Sequence, residues 1–511
     1  MFKTIKVDIL LIRRTGLSMR RFSIIVLIAF FIGIIWISCE FPTLPPNPNS
    51  PPDTKLSNVP KDNDMIFPLS TMYWTGGDND GYIAKYQYRY ITYHLVTGTN
   101  NEWKEFDSTQ WKDTSATAVT IAFNSSDNIN RQRFMVRAID NTGAMDPEPA
   151  EKFIYTTKAS PPVTKIITPV KNDTILALNT VSDWWTGIKL TFTAYDQTIK
   201  GAIVDYAWSV DGGPWYWGSD TTMTIAPDKF TQPITSKHYI KVTSRNNTNL
   251  IDPIGDSVAV YLVMPSFEKK VLIIDETDEF NFPFVTYNIS DATVDNFYSR
   301  VFEGADTWDY KANKGMPSRA TLAKYKLIIW HADDWPQTNP HKISDPKNIE
   351  IFTDYLKVGG KFLMSGWGIL KSFAYNSNFP YTFPPGSFVY DYLHIRTVDV
   401  TALIGDATGG ENTMPAFSSF KVDSSKLAFF PFFGKLGQVN LIISPAGFTV
   451  SLYTYNNLPS SSYVKYRGRT IALRYYGTIF DAVVLGFPLY FIKEENAIVM
   501  GKQILRNLNV E

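Results

Sequence analysis

The stretch "KKVLIIDE" (Lys269–Glu276) decides how the C-terminal half of this chain is read. Val271, Leu272, Ile273 and Ile274 follow one another without a polar residue, so both faces of the strand must be covered. That is the pattern of a strand in a parallel sheet, where crossover helices shield both faces. "KYKLIIWHADDW" (Lys324–Trp335) repeats the form. "IEIFTDYLKVGGKFLMSGWGI" (Ile349–Ile369) supplies a helix, a stop and a third strand. Ile351, Phe352, Tyr355 and Leu356 line one helical face, and Gly359–Gly360 provides the turn that ends it. "TIALRYY" (Thr470–Tyr476) and "DAVVLGFPLYFI" (Asp481–Ile492) read as further strands. "KEENAIVMGKQILRNL" (Lys493–Leu508) closes the chain as an amphipathic helix, acidic at its start and basic near its end, as the helix dipole favours. Strands alternating with helices predict an open, mostly parallel sheet with right-handed crossovers over 267–511.

The texture before Lys269 is different. "YWTGGDNDGYIAKYQYRYI" (Tyr73–Ile91) places a Gly/Asp/Asn turn before strict alternation. Tyr82, Ala84, Tyr86, Tyr88 and Tyr90 fall on one face, with Ile83, Lys85, Gln87 and Arg89 on the other. In "RFMVRAIDNTGAMDPEPAEKFIYTT" (Arg133–Thr157), Phe134, Val136 and Ala138 point inward and "DNTG" turns the chain. About 105 residues later the pattern returns in "GAIVDYAWSVDGGPW" (Gly201–Trp215) and "HYIKVTSRNNTNLIDPIGDSVAVYLV" (His238–Val263), with Asp146–Pro147 and Asp252–Pro253 at equivalent places. A repeat of this length built from short strands predicts two tandem β-sandwiches, over 55–158 and 159–266, joined at "ASPPVTKIITP" (Ala159–Pro169). These modules resemble the fibronectin-type-III-like and immunoglobulin-like repeats of bacterial surface proteins. The "GGDNDG" loop offers Asp78, Asn79 and Asp80 as oxygen ligands for calcium. It lacks a downstream bidentate acid, which favours a plain turn.

At the other end, Phe22 to Ser38 is an uncharged run of 17 residues preceded by Arg20 and Arg21, followed by the only cysteine, Cys39. Basic residues, an apolar run and a small residue before a cleavage point make a secretory signal over 1–38, with Met19 as an alternative start. Ser38–Cys39 resembles the lipobox of bacterial lipoproteins, although Trp36 stands where that motif usually has Leu. The resemblance implies a lipidated Cys39 and a membrane partner through its acyl chains. "FPTLPPNPNSPPD" then forms a proline-rich tether over 39–54. Glu40 is not the aspartate that retains some lipoproteins at the inner membrane, so the expected address is the cell envelope, lipid-anchored at the outer membrane.

Composition excludes several classes. With 49 basic and 49 acidic residues the net charge is zero, so nothing favours nucleic acid. One cysteine excludes an internal disulfide framework and any multi-cysteine zinc site. "VGGKF" enters a strand rather than a helix, so no phosphate-cradling loop is present. No cofactor is implied.

In open α/β sheets ligands sit beyond the carboxyl ends of the strands. The residues expected there are Asp275, Glu276, His331, Asp333, Asp334, Ser365 and Trp367. The order "VLIIDE … LIIWH … GGKFLMSGWG … LGFPLYFI" resembles the class I glutamine-amidotransferase-like superfamily, nearest its trehalose-utilisation-like members, which implies a flavodoxin-like α/β fold. A variable stretch of about 100 residues, 371–468, interrupts the resemblance. In that superfamily a cysteine nucleophile follows the Gly-Gly strand. Here Ser365 stands near that place and no cysteine exists outside the signal, so amidotransferase chemistry is absent. Two functions compete, with a third behind them, a structural subunit of a surface assembly in which the sandwiches make the contacts. One is a non-catalytic, lipid-anchored envelope protein with a sandwich stalk and a degenerate α/β domain that binds a glycan or protein partner. The other is an envelope hydrolase of glycans or peptides using Ser365, His331 and Asp275, with Glu276, Asp333, Asp334 and Trp367 lining the pocket. "SGWG" departs from the nucleophile-elbow pattern G-x-S-x-G, which favours the first.

Overall fold

The computed structural model describes residues 48–97, 101–125, 129–198, 201–278, 280–281, 288–335, 340–445 and 448–511. Cys39, the signal segment and most of the proline-rich tether lie outside the described residues. Among those described, no helix is long and apolar enough to cross a membrane. The chain divides into two compact units between Lys158 and Ala159.

The first unit is a β-sandwich. One sheet joins Asp53–Ser57, Leu69–Gly77 and Ala118–Ala122; the other runs Met65–Ile66, Ala150–Thr157, Ile129–Asp140, Ile83–Val96, Glu102–Ser108, with Lys112–Thr114 alongside. Met72, Trp74 and Ile121 from the first sheet meet Tyr86, Phe134, Val136, Ala138 and Ile154 from the second. Phe134, Val136 and Ala138 are wholly buried. Side chains of the size of Phe and Val each contribute about 1.5–3 kcal/mol when so buried. The strict alternation expected from Tyr82 fails at one point. The register with the neighbouring strand shifts between Ile83 and Lys85. This bulge reverses the phase, so Ile83 packs on the core while Tyr82 is exposed.

The second unit opens with another sandwich. Val163–Thr168, Ile188–Tyr195 and Thr222–Ile225 form one sheet; Asp173–Leu176, Asp256–Val263, Lys237–Asn246, Ile203–Val210 and Tyr216–Gly218 form the other. Local details repeat between the two sandwiches. Ile139 bridges Met145 as Arg245 bridges Ile251. Asn141 Oδ1 accepts the Tyr82 N–H at 3.1 Å, as Asn247 Oδ1 accepts that of Ala202 at 3.3 Å. Asp146 and Asp252 each accept the amide two residues on, at 2.9 and 3.0 Å. The Asp-Pro pairs are thus the same turn twice.

Among the described residues, the rest of this unit holds a twelve-stranded sheet and a short two-stranded one, Phe280–Asn281 with Asn288–Ile289. Five strands of the larger sheet are parallel and are labelled here β1 (Lys269–Asp275), β2 (Asp306–Asp309), β3 (Tyr325–Ala332), β4 (Lys361–Gly366) and β5 (Asp481–Leu485). Their order is β2-β1-β3-β4-β5, and each neighbouring pair is parallel. Helices α1 (Asp291–Val301) and α3 (Glu494–Asn507) cover one face, and α2 (Pro346–Lys357) covers the other. Leu272 and Ile274 of β1 face the α2 side, whereas Val271 and Ile273 face α1 and α3. Both faces are covered, which is why the run carries no polar residue.

The sheet is mixed rather than mostly parallel. Beyond β5, Thr470–Tyr476 pairs antiparallel with it, and Asn440–Pro445, Ile395–Val400 and Tyr381–Thr382 continue outward in the same antiparallel manner. Thr449–Asn457 pairs with the same Thr470–Tyr476 strand. The variable stretch therefore builds strands of the sheet itself. Residues of the second sandwich, including Leu176, Trp185 and Ile188, share one core with Leu322, Phe352 and Tyr355 on the α2 side.

Candidate functional site

At the carboxyl end of the parallel strands, Asp275 of β1 pairs in register with His331 of β3, and His331 with Ser365 of β4. The chain order reverses between β1 and β3, so Asp275 and His331 stand where open α/β sheets form their ligand crevice. His331 lies in the middle of the sheet and is wholly buried. Its Nε2 faces Asp275 Oδ1 at 3.3 Å, and its Nδ1 faces both Asp333 Oδ2 and Thr277 Oγ1 at 3.1 Å. The Tyr298 ring of α1 stacks on the imidazole, centroids 3.6 Å apart and planes 10° from parallel. Burial works against protonating His331, but Asp275 and Asp333 outweigh it and hold its pKa above the usual histidine range.

Ser365 is engaged elsewhere. Its Oγ donates to the Phe487 carbonyl at 3.0 Å and accepts the Leu489 N–H at 3.1 Å, and the residue has no exposed surface. Both nitrogens of His331 are turned to the carboxylates and Thr277, so the pair lacks the hydrogen bond that would activate a nucleophile. Asp333 belongs with His331 through its Oδ2, 3.1 Å from Nδ1, while its Oδ1 accepts the Tyr490 N–H at 3.2 Å.

Glu276 and Asp334 form a second group around His341, a residue the sequence pattern did not single out. Glu276 accepts from Trp330 Nε1 at 3.0 Å and from the amides of Lys342 and Ile343. His341 Nδ1 lies 3.7 Å from Glu276 and 3.8 Å from Asp334, and its Nε2 donates to the Trp367 carbonyl at 2.7 Å. Burial opposes its charge, yet these acceptors push its pKa up to about 9. Burial also raises Asp334 to about 6, with His341 pulling the other way. Trp367 does not open onto a pocket. It is wholly buried, donates from Nε1 to the Gly437 carbonyl at 3.0 Å, and packs on Trp335, Phe432 and Phe491.

Two further acids join Asp275. Asp291 and Asp295, one turn apart on α1, bring carboxylate oxygens within 4.8 Å of one another and of Asp275. Sequence reading passed over them because they belong to a helix, one strand away in chain order. Their i, i+4 spacing in "DATVD" was the available signal. Burial raises the Asp275 pKa, His331 lowers it, and Asp295 and Asp291 add to the rise. Burial, then Asp295, Asp309 and Asp278, lift Asp291 to about 6.

In the first unit, Asp78, Asn79 and Asp80 form a hydrogen-bonded turn. Asp80 Oδ2 accepts the Ser50 N–H at 2.9 Å, and Asp78 Oδ1 accepts the Asp80 N–H at 3.3 Å.

No family model matches the chain, and no curated protein matches it. Among solved structures, it is similar to the fibronectin(III)-like modules of Clostridium thermocellum CbhA, at 14% identity over 42% of this chain and 95% of that one, with a TM-score of 0.19. It is also similar to a bacterial ice-binding adhesin, at 13% identity over 45% and 73% of the two chains, TM-score 0.16. The four N-terminal Ig domains of Dscam1 isoform 6.9 align at 12% identity and TM-score 0.15, over 43% of this chain. The chain spans about half the length of that last structure, 47%.

Proposed function

We propose that this chain is an exported cell-envelope protein, anchored through a lipidated Cys39 at the outer membrane, in which β-sandwiches carry a C-terminal domain that binds rather than turns over its partner. The partner class is an envelope glycan or protein. The C-terminal domain is read as flavodoxin-like and amidotransferase-like without the thiol, a reading supported by the β2-β1-β3-β4-β5 order.

The observation that carries the binding reading is the state of Ser365. A nucleophile must present its oxygen to substrate, and this oxygen spends both its donor and an acceptor site on backbone groups of Phe487 and Leu489. The hydrolase alternative keeps one observation in its favour, the raised carboxyls of Asp275 and Asp291 at the strand ends. Two measurements test the proposal. Cells fed a clickable fatty acid should label the wild-type protein and not Cys39→Ala, which should also leave the membrane fraction; equal labelling removes the anchor. A fluorophosphonate probe should not label the protein, and labelling abolished by Ser365→Ala would establish the hydrolase instead.

A further inference from the structure

We infer that Asp275, Asp291 and Asp295 form a binding site for a hard divalent cation of calcium size at the β1/β3 switch point. The three carboxylates come from two rigid elements, the end of β1 and the first two turns of α1, so their arrangement does not depend on a loop. Donor atoms all within 4.8 Å of one another leave a point no more than about 2.8 Å from each. That bound admits the calcium–oxygen distance of about 2.3–2.6 Å, and calcium tolerates an irregular oxygen set better than magnesium, which demands near-ideal octahedral geometry.

Acids alone would not argue a site. One almost wholly buried oxygen among them does. Asp275 is 1% exposed, and its Oδ1 accepts the Thr277 N–H at 2.8 Å and faces His331, while its Oδ2 has no hydrogen-bond partner. His331 Nε2, from the neighbouring strand, approaches Oδ1 at 3.3 Å, so the histidine accounts for that oxygen and Oδ2 is the one left without a hydrogen bond. Burying an unsatisfied carboxylate oxygen is destabilising unless a cation or donor meets it. Asp278 and Asp309 add negative potential at Asp291, and Lys311 already pairs with Asp278. An all-oxygen set with this charge suits calcium and not zinc, which favours nitrogen and sulfur.

The inference deepens the binding reading of this domain and rests on it. The cation titration and the fluorophosphonate assay are independent, so failure of one is distinguishable from failure of the other. The detergent-solubilised full chain, stripped with chelator, is titrated calorimetrically with CaCl2, MgCl2 and ZnCl2 in turn, beside Asp291→Asn and Asp295→Asn. The expected result is saturable calcium binding, weaker magnesium binding, and a loss of calcium affinity of about tenfold or more in each variant. On the unmodified chain, saturating calcium should also slow hydrogen exchange across Asp291–Val301, a readout that does not depend on a variant folding. The inference is overturned by any of four results: no binding up to about 10 mM, calcium affinity unchanged in both variants, tighter binding of magnesium or zinc than of calcium, or exchange across that helix unmoved by calcium.

Discussion

Replacing Ser365 by alanine separates a structural serine from a catalytic one by the sign and size of its effect on stability. The hydroxyl joins the end of β4 to the segment after β5 by donating to Phe487 O at 3.0 Å and accepting from Leu489 N at 3.1 Å. Alanine fills nearly the same space, so little cavity forms. What remains is one carbonyl and one amide without partners in a site closed to water. Each orphaned group costs about 1–3 kcal/mol, so the pair should cost about 2–6 kcal/mol. Urea unfolding followed by far-UV circular dichroism reads the global change as a midpoint shift at constant slope. Hydrogen exchange of the Leu489 amide reads the local one, and protection there should fall by roughly thirtyfold or more for that loss. A serine kept for chemistry behaves oppositely, since removing it commonly leaves stability unchanged or raised. A loss below about 0.5 kcal/mol with Leu489 protection intact would therefore refute the structural assignment.

Two further outcomes follow from the same unit. His341 has a folded pKa near 9 against an ordinary 6.5. Its contribution to stability is therefore complete below about pH 6.5 and lost as pH rises through 9. Melting temperature should fall across that window, and His341→Gln should flatten the fall; identical profiles for the two proteins would count against it. Gly187 has φ +125°, and a Cβ there would lie 2.3 Å from the Ile225 carbonyl oxygen. Gly212, at φ +75°, has open space around it. Gly212→Ala should cost about 1 kcal/mol of backbone strain, and Gly187→Ala at least about 2 kcal/mol more because strand Thr222–Ile225 must move. Equal costs in denaturant titrations would show that the backbone angle, not the close approach, sets the penalty.

Much of the candidate site was legible because strand ends announce themselves. A continuous apolar run that stops at acids places Asp275, His331 and Ser365 at one end of the sheet before any coordinates exist. Their mutual relations were not legible. Whether His331 turns to Ser365 or to Asp275 and Asp333 depends on χ angles set by Tyr298 stacking from α1. Asp291, Asp295 and His341 reach the site from a helix and a loop whose docking has no local signature.

The sequence by itself determined the kinds of elements and their repetition. Alternation with period two and apolar runs are properties of a few consecutive residues, so the sandwich strands, the duplicated Asp-Pro turn and β1 and β3 could be read directly. The tertiary structure alone decided the direction of pairing in the outer half of the large sheet, the bulge that brings Ile83 inward, and the core shared by residues of the second sandwich and the α2 side. Those outcomes depend on residues far apart in the chain burying surface together, and an apolar strand buried on both faces carries the same pattern whichever way its neighbour runs.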